Sequence, residues 1–189
     1  ALSTFMALGA YHLIKNNIIT KQPQTVEVLG SATVICVDKT GTITENKMEV
    51  SEIYDFKEKK ICDNFDHRFL SESSKEIIDY GMWASEPVPF DPMEKALRKL
   101  FDNSGNQIQT SEYEIVKEYP LSGKPPMMTH IHSNSKETII ACKGAPEGIL
   151  RICELDKNQV EELNELVRSM ASKGLRVLGV AKAEHATLP

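Results

Sequence analysis

The unbroken apolar run Thr33-Val34-Ile35-Cys36-Val37 ends on Asp38-Lys39-Thr40-Gly41-Thr42, and no other stretch restricts the fold as much. β-Branched residues without polar alternation suit a strand buried on both faces, as in a parallel sheet covered by helices. Ligands of such sheets bind just beyond the carboxyl ends of the strands. Asp38 stands at that place, at the mouth of a loop carrying a glycine and two hydroxyls. The backbone N–H groups of such a loop can cradle a phosphate, and a carboxylate facing a phosphate can attack it to form an aspartyl-phosphate. The plain alternative is a turn residue, since Asp and Gly both favour turns.

The chain has 189 residues, room for one domain or one and a half. Hydrophobic residues make up 41% and charged residues 26%, so a packed core can form. A net charge of −5 leaves no electrostatic footprint for a nucleic-acid partner. Cys36, Cys62, Cys142 and Cys153 form no C-x-x-C pair and read as reduced, two of them in apolar runs. His130 and His132 fall on one face of an expected strand and by default read as surface residues. No apolar run reaches the length of a membrane span, and no signal peptide is recognisable. The apolar stretch from Leu2 to Leu13 reads as the end of a longer helix, and the chain as an excised fragment.

Periodicity and turn residues predict the elements. A helix is expected over 1–17, a short one over 24–29 ending at Gly30, and the buried strand over 33–38. Composition shifts after Met48, which places a domain boundary there. Residues 57–66 are charged and turn-like. Phe69, Ile77, Ile78, Gly81 and Met82 suit an amphipathic helix through Trp83 and Ala84, which Ser85-Glu86-Pro87-Val88-Pro89 breaks. Asp91 can cap the next helix, with Pro92 in its first turn and Glu94 three residues after the cap, as in a capping box. Antiparallel strands are expected over 112–119, 127–132 and 137–142, a helix over 158–173 stopped by Gly174, and a last strand over 175–181. The fold class is α/β: a mainly antiparallel sheet flanked by helices, joined to one piece of a parallel sheet.

The string at 38–42 resembles the phosphorylation signature of P-type ATPases, the ion pumps that pass through an aspartyl-phosphate. The resemblance extends through Val28-Leu29-Gly30-Ser31-Ala32 before it and Ile43-Thr44-Glu45-Asn46-Lys47-Met48 after it. Lys143-Gly144-Ala145-Pro146-Glu147 resembles the KGAPE motif of the same pumps, and Asp91-Pro92-Met93-Glu94-Lys95-Ala96-Leu97 their D-P-x-E-x-A-L segment. These matches point to the branch with calcium, sodium/potassium and proton pumps.

The resemblance implies a partial haloacid-dehalogenase-like, Rossmann-type phosphorylation domain and a nucleotide-binding domain. It divides the chain into the end of the fourth transmembrane helix and its stalk at 1–22, the start of the phosphorylation domain at 23–48, the nucleotide domain at 49–183, and a return segment at 184–189. It also implies ATP and Mg²⁺ as cofactors. Asp38 becomes the phosphorylated nucleophile, Thr42 a phosphate contact and Lys39 a local charge. Thr40 replaces the second Asp of related phosphatases, and its carbonyl joins Asp38 in binding Mg²⁺. Glu94 accepts from the adenine amino group, Lys143 and Gly144 receive the nucleotide, and Arg176 reaches ribose and phosphates.

One segment departs from the family. Leu121 and Gly123 stand where the pumps commonly carry Phe and Arg. Loss of aromatic stacking, worth roughly 0.5–1.5 kcal/mol, predicts weaker ATP binding. The implied partners are ATP, a transported cation with calcium favoured, and the remaining phosphorylation, actuator and transmembrane domains. The implied location is the cytoplasmic face of a membrane, and the fragment alone is expected to bind ATP without sustained turnover. A soluble dehalogenase-class phosphatase is the first rival, opposed by Thr40 and the KGAPE segment. A non-catalytic nucleotide-binding module is the second, opposed by the intact phosphorylation loop.

Overall fold

The computed structural model describes residues 2–22, 24–105 and 112–183. The return segment expected at 184–189 and the expected helix start at position 1 lie outside these. The chain divides into two compact units, Ala1–Asn46 and Lys47–Pro189.

In the first unit, α1 (Leu2–Lys15) is followed by α2 (Gln24–Ser31). At 14 residues α1 is about 21 Å long, and no described helix is long and apolar enough to cross a membrane. The strand expected over 33–38 is not formed. The segment is exposed and unpaired, with Val34 at 77% and Ile35 at 73% exposure. Its apolar side chains suit burial on both faces, but the first unit offers no neighbouring strand among its described residues and no helix covering either face.

The second unit is built on a four-stranded antiparallel sheet in the order β3-β4-β5-β6, with β3 at Glu114–Ser122, β4 at Met127–Ser133, β5 at Thr138–Gly144 and β6 at Gly179–Ala183. β5 and β6 are joined through α5 (Pro146–Ile152) and α6 (Lys157–Ser172). Two further helices, α3 (Glu72–Trp83) and α4 (Pro92–Asn103), precede the sheet in sequence. Ser71 caps α3 by accepting from the Ser74 N–H, and Asp156 and Gln159 form a reciprocal capping box on α6. Ile53, Leu70, Ile78, Met82, Leu100 and Phe101 make the main apolar cluster. A second cluster joins Trp83 and Ala84 of the α3 end to Ala141 of β5, so α3 lies over the sheet.

Three local expectations are corrected. Residues 57–66 are not all turn: β2 (Lys60–Cys62) pairs with β1 (Ile53–Asp55). The last strand begins at Gly179 rather than 175, because its ladder with β5 starts at the Gly144–Gly179 pair. His130 and His132 are buried, at 0% and 7% exposure, because the α3 end covers that face of β4.

Asp55 fixes the β1–β2 turn to α3. Its carboxylate is almost fully buried and accepts from the Lys57 N–H at 2.9 Å, the Glu58 N–H at 3.1 Å and the Ser73 hydroxyl at 2.9 Å. Burial pushes its pKa up, but these hydrogen bonds outweigh that and hold it below the usual carboxylate range. The stability it contributes is therefore present above its unfolded pKa and lost as pH falls through the folded value. Asp55→Ala is expected to cost about 3 kcal/mol by stranding these donors, read by chemical denaturation at neutral pH. The gap to the parent should narrow under acid conditions.

Candidate functional site

Asp38, Lys39, Thr40 and Thr42 belong to the first unit. All four are exposed. Asp38 is extended, and Lys39–Ile43 turns sharply through Gly41 at φ 76°. Only glycine adopts that conformation without a steric cost. The Thr44 N–H closes the turn on the Lys39 carbonyl at 3.1 Å. The Asp38 carboxylate and the loop are thus open to solvent, and their donors are hard oxygens of the kind Mg²⁺ takes.

The second unit brings Lys143 and Glu94 together. Lys143 is the next-to-last residue of β5, and Glu94 lies in the first turn of α4. The Lys143 ammonium donates to Glu94 Oε1 at 2.6 Å and to the Ser85 hydroxyl oxygen at 2.7 Å. Both members of the pair are buried, with Lys143 at 5% and Glu94 at 7% exposure. Burial pushes the Lys143 ammonium below its ordinary range, against the pull of Glu94.

The local fold explains the meeting. Asp91 caps α4 by accepting from the Met93 and Glu94 N–H groups, and Pro92 occupies its first turn. Glu94 does not reach back to complete a capping box. Its Oε1 instead accepts from Lys143 and from the Glu86 N–H at 3.3 Å. Glu94 Oε2 is buried and has no hydrogen-bond partner. Ser85, read in sequence only as part of a helix break, completes the arrangement by donating to the Gly81 carbonyl at 2.7 Å. A small polar residue directly after buried Trp83 and Ala84 was its one sequence signal.

Gly144 lies in a row of cross-strand partners, Ser122, Met127, Gly144 and Gly179. A Cβ at Gly144 would lie 2.6 Å from the Pro126 carbonyl oxygen and 2.7 Å from Met127 Cα. Both are backbone atoms, so β4 itself would have to move. Gly144→Ala is expected to destabilise the unit by about 1–3 kcal/mol, visible as a lower thermal midpoint.

Leu121 lies near the same end of the sheet, next to Ser122, and is 64% exposed. Arg176 is exposed in the segment between α6 and β6. It lines an apolar groove of about 460 Å³ with Val50, Leu97 and Leu163. No hydrogen bond or ion pair among the described residues joins Arg176 to the Lys143–Glu94 pair.

Residues 88–188 match the family model described as P-type ATPase, cytoplasmic domain N. The chain belongs to the P-type ATPase family. It is 32% identical to "Calcium-transporting ATPase 1" of Bacillus cereus, over 97% of this chain and 22% of that protein. It is 31% identical to a "Probable cation-transporting P-type ATPase" of Mycoplasma genitalium, over 95% of this chain and 20% of that protein. With "Plasma membrane ATPase 2" of Saccharomyces cerevisiae the figures are 29%, 96% and 19%. The chain thus spans about a fifth of the length of these curated relatives. The four-stranded antiparallel sheet flanked by helices is the architecture expected of a P-type ATPase nucleotide domain.

Proposed function

We propose that this P-type ATPase chain binds ATP in the pocket around Glu94 and Lys143. The observation that carries the reading is Glu94 Oε2, a buried acceptor without a donor. A group of that kind is costly unless a ligand satisfies it. The adenine amino group is a donor, whereas guanine carries a carbonyl oxygen at the corresponding position. Lys143 supplies positive charge, and Gly144 lets β5 pack closely on Pro126 and Met127 beside it. Leu121 covers the base without an aromatic ring, and Arg176 reaches the ribose and phosphates from the segment before β6. The nucleotide domain is assigned to 49–183, after a stalk at 1–22 and the start of the phosphorylation domain at 23–48, with 184–189 as a return segment.

Calorimetric titration tests this reading. ATP is expected to bind with a Kd weaker than about 1 μM (about −8 kcal/mol), because Leu121 and Gly123 replace an aromatic ring and a guanidinium. GTP is expected to bind more weakly still. Equal affinity for the two, or submicromolar ATP affinity, contradicts the assignment.

In the longer protein, Asp38 is the nucleophile. A carboxylate oxygen bonds to the γ-phosphorus as the bond to the β–γ bridging oxygen breaks and ADP leaves. Thr42 hydrogen-bonds the phosphate and Lys39 sets the local charge. The Asp38 carboxylate and the Thr40 carbonyl would hold Mg²⁺, which when bound neutralises the phosphate charge. Thr40 cannot act as an acid–base group at neutral pH, so the phosphoenzyme persists long enough to drive transport of a cation. Calcium is favoured, in line with the name of the Bacillus cereus relative. The parent would sit in a membrane with these units on its cytoplasmic face, working with its actuator and transmembrane domains.

Transfer of label from γ-labelled ATP to the longer protein is expected to be stable in acid, labile in alkali and lost in Asp38→Asn. Labelling that survives this substitution contradicts the assignment. The 189-residue chain alone should show no sustained hydrolysis.

A further inference from the structure

His130 is the most completely buried large side chain of the second unit, at 0% exposure, and neither of its ring nitrogens has a hydrogen-bond partner. The neighbouring His132 behaves differently. Its Nε2–H donates to the Trp83 carbonyl at 2.8 Å, so its burial is compensated. An imidazole with two unsatisfied nitrogens in a dry interior is costly, and the surroundings of His130 indicate what would satisfy it.

Glu118 of β3 is the direct cross-strand partner of His130 on β4, so the two side chains share one face of the sheet. Glu86 follows the α3 end that covers this face. One carboxylate oxygen from each glutamate and one ring nitrogen of His130 all lie within 4.8 Å of one another. Neither carboxylate has a salt-bridge partner among the described residues. Two carboxylates converging on one ring nitrogen repel each other until a cation joins them.

We propose that Glu86, Glu118 and His130 form a divalent metal site of the zinc class. One imidazole nitrogen and two carboxylate oxygens are a borderline donor set, suited to Zn²⁺ rather than to Mg²⁺ or Ca²⁺, which take oxygen donors. Three protein ligands leave a fourth position for water in a tetrahedral site. Zn²⁺ at roughly 2.0–2.2 Å from each ligand requires the three atoms to draw closer together. Glu118, exposed on the edge strand β3, has the freedom to do so. The site is separate from the Lys143–Glu94 pair but touches it through Glu86, whose backbone N–H donates to Glu94 Oε1.

Titration of the 189-residue chain with Zn²⁺ against a chromophoric chelator tests the proposal. One equivalent is expected to bind, with no competition from equimolar Mg²⁺ or Ca²⁺. Glu118→Gln, His130→Gln and Glu86→Gln should each weaken binding by about 100-fold or more, since even outer-shell changes cost 10–100-fold. Glu118 is exposed, so Glu118→Gln keeps the fold, which circular dichroism verifies, and it remains decisive if a His130 variant unfolds. A variant with all four cysteines replaced by serine should bind as the parent does. Absence of stoichiometric Zn²⁺ binding, binding unaffected by Glu118→Gln and Glu86→Gln, or binding lost with the cysteines would overturn the proposal.

Discussion

Lys143→Met is expected to lower the stability of the second unit by about 3–5 kcal/mol, the range found when one partner of a buried ion pair is removed. The cause is Glu94 rather than the lost lysine. Its carboxylate is 7% exposed and would keep only the Glu86 N–H as a donor. Ser85 would also lose the ammonium that its oxygen accepts from. The effect should be non-additive, because residues in one network couple. Glu94→Gln in the Lys143→Met background is expected to recover much of the loss, since a neutral amide is far less costly to bury than an unpaired charge. Denaturant unfolding of the four members of this cycle measures the coupling. Additive single effects would show that the pair does not act as a unit.

Trp83→Ala carries the second large expected effect, again about 3–5 kcal/mol. Trp83 ends α3 and is 6% exposed, with its ring 5.0 Å from Tyr113 and 4.7 Å from His132, centroid to centroid. It packs with Ala84 against Ala141 of β5 and so joins helix to sheet. The cavity would open directly over His132, whose ring burial holds below its ordinary pKa. The Trp83 carbonyl remains in the variant, so the predicted loss is one of packing. Trp83→Phe should recover most of it. A loss below 1 kcal/mol for Trp83→Ala would mean that the α3 end does not seal the sheet.

The helices of the second unit were legible because each carries two agreeing signals. α4 has Asp91 at its cap and an apolar stripe including Ala96, Leu100 and Phe101, and α6 has Val160, Leu163, Val167 and Met170 at helical spacing and a glycine stop. The antiparallel strands β3, β4 and β5 were legible from their alternation. Failures arose where context overrides a local pattern. Residues 33–38 have the composition of a buried strand, but composition cannot supply neighbouring strands. His130 and His132 look polar in sequence, but burial depends on α3, which lies nearly fifty residues earlier in the chain. β2 was hidden because three residues, Lys60-Ile61-Cys62, are too few to show alternation within a charged stretch.

The candidate site was legible in a similar measure. Glu94 and Lys143 stood out as motif residues, and the structure joins them at 2.6 Å. The choice between a capping box and a ligand contact at Glu94 could not be made from spacing, since both place a glutamate three residues after the cap. The structure turns the carboxylate away from the cap and onto a lysine 49 positions away. Ser85 and the Glu86–Glu118–His130 cluster carry no motif, because each depends on a loop folding over the sheet.

Backbone amide shifts recorded during an ATP titration of the isotopically labelled 189-residue chain test whether the nucleotide sits at Glu94 and Lys143. The largest saturable shifts are expected at Ser85, Glu86, Glu94, Lys143 and Gly144, and they should be strongly reduced in Glu94→Gln. Shifts confined to 38–44, shifts along the groove of Val50 and Leu163 without change at Lys143, or no saturable shift at all would contradict it.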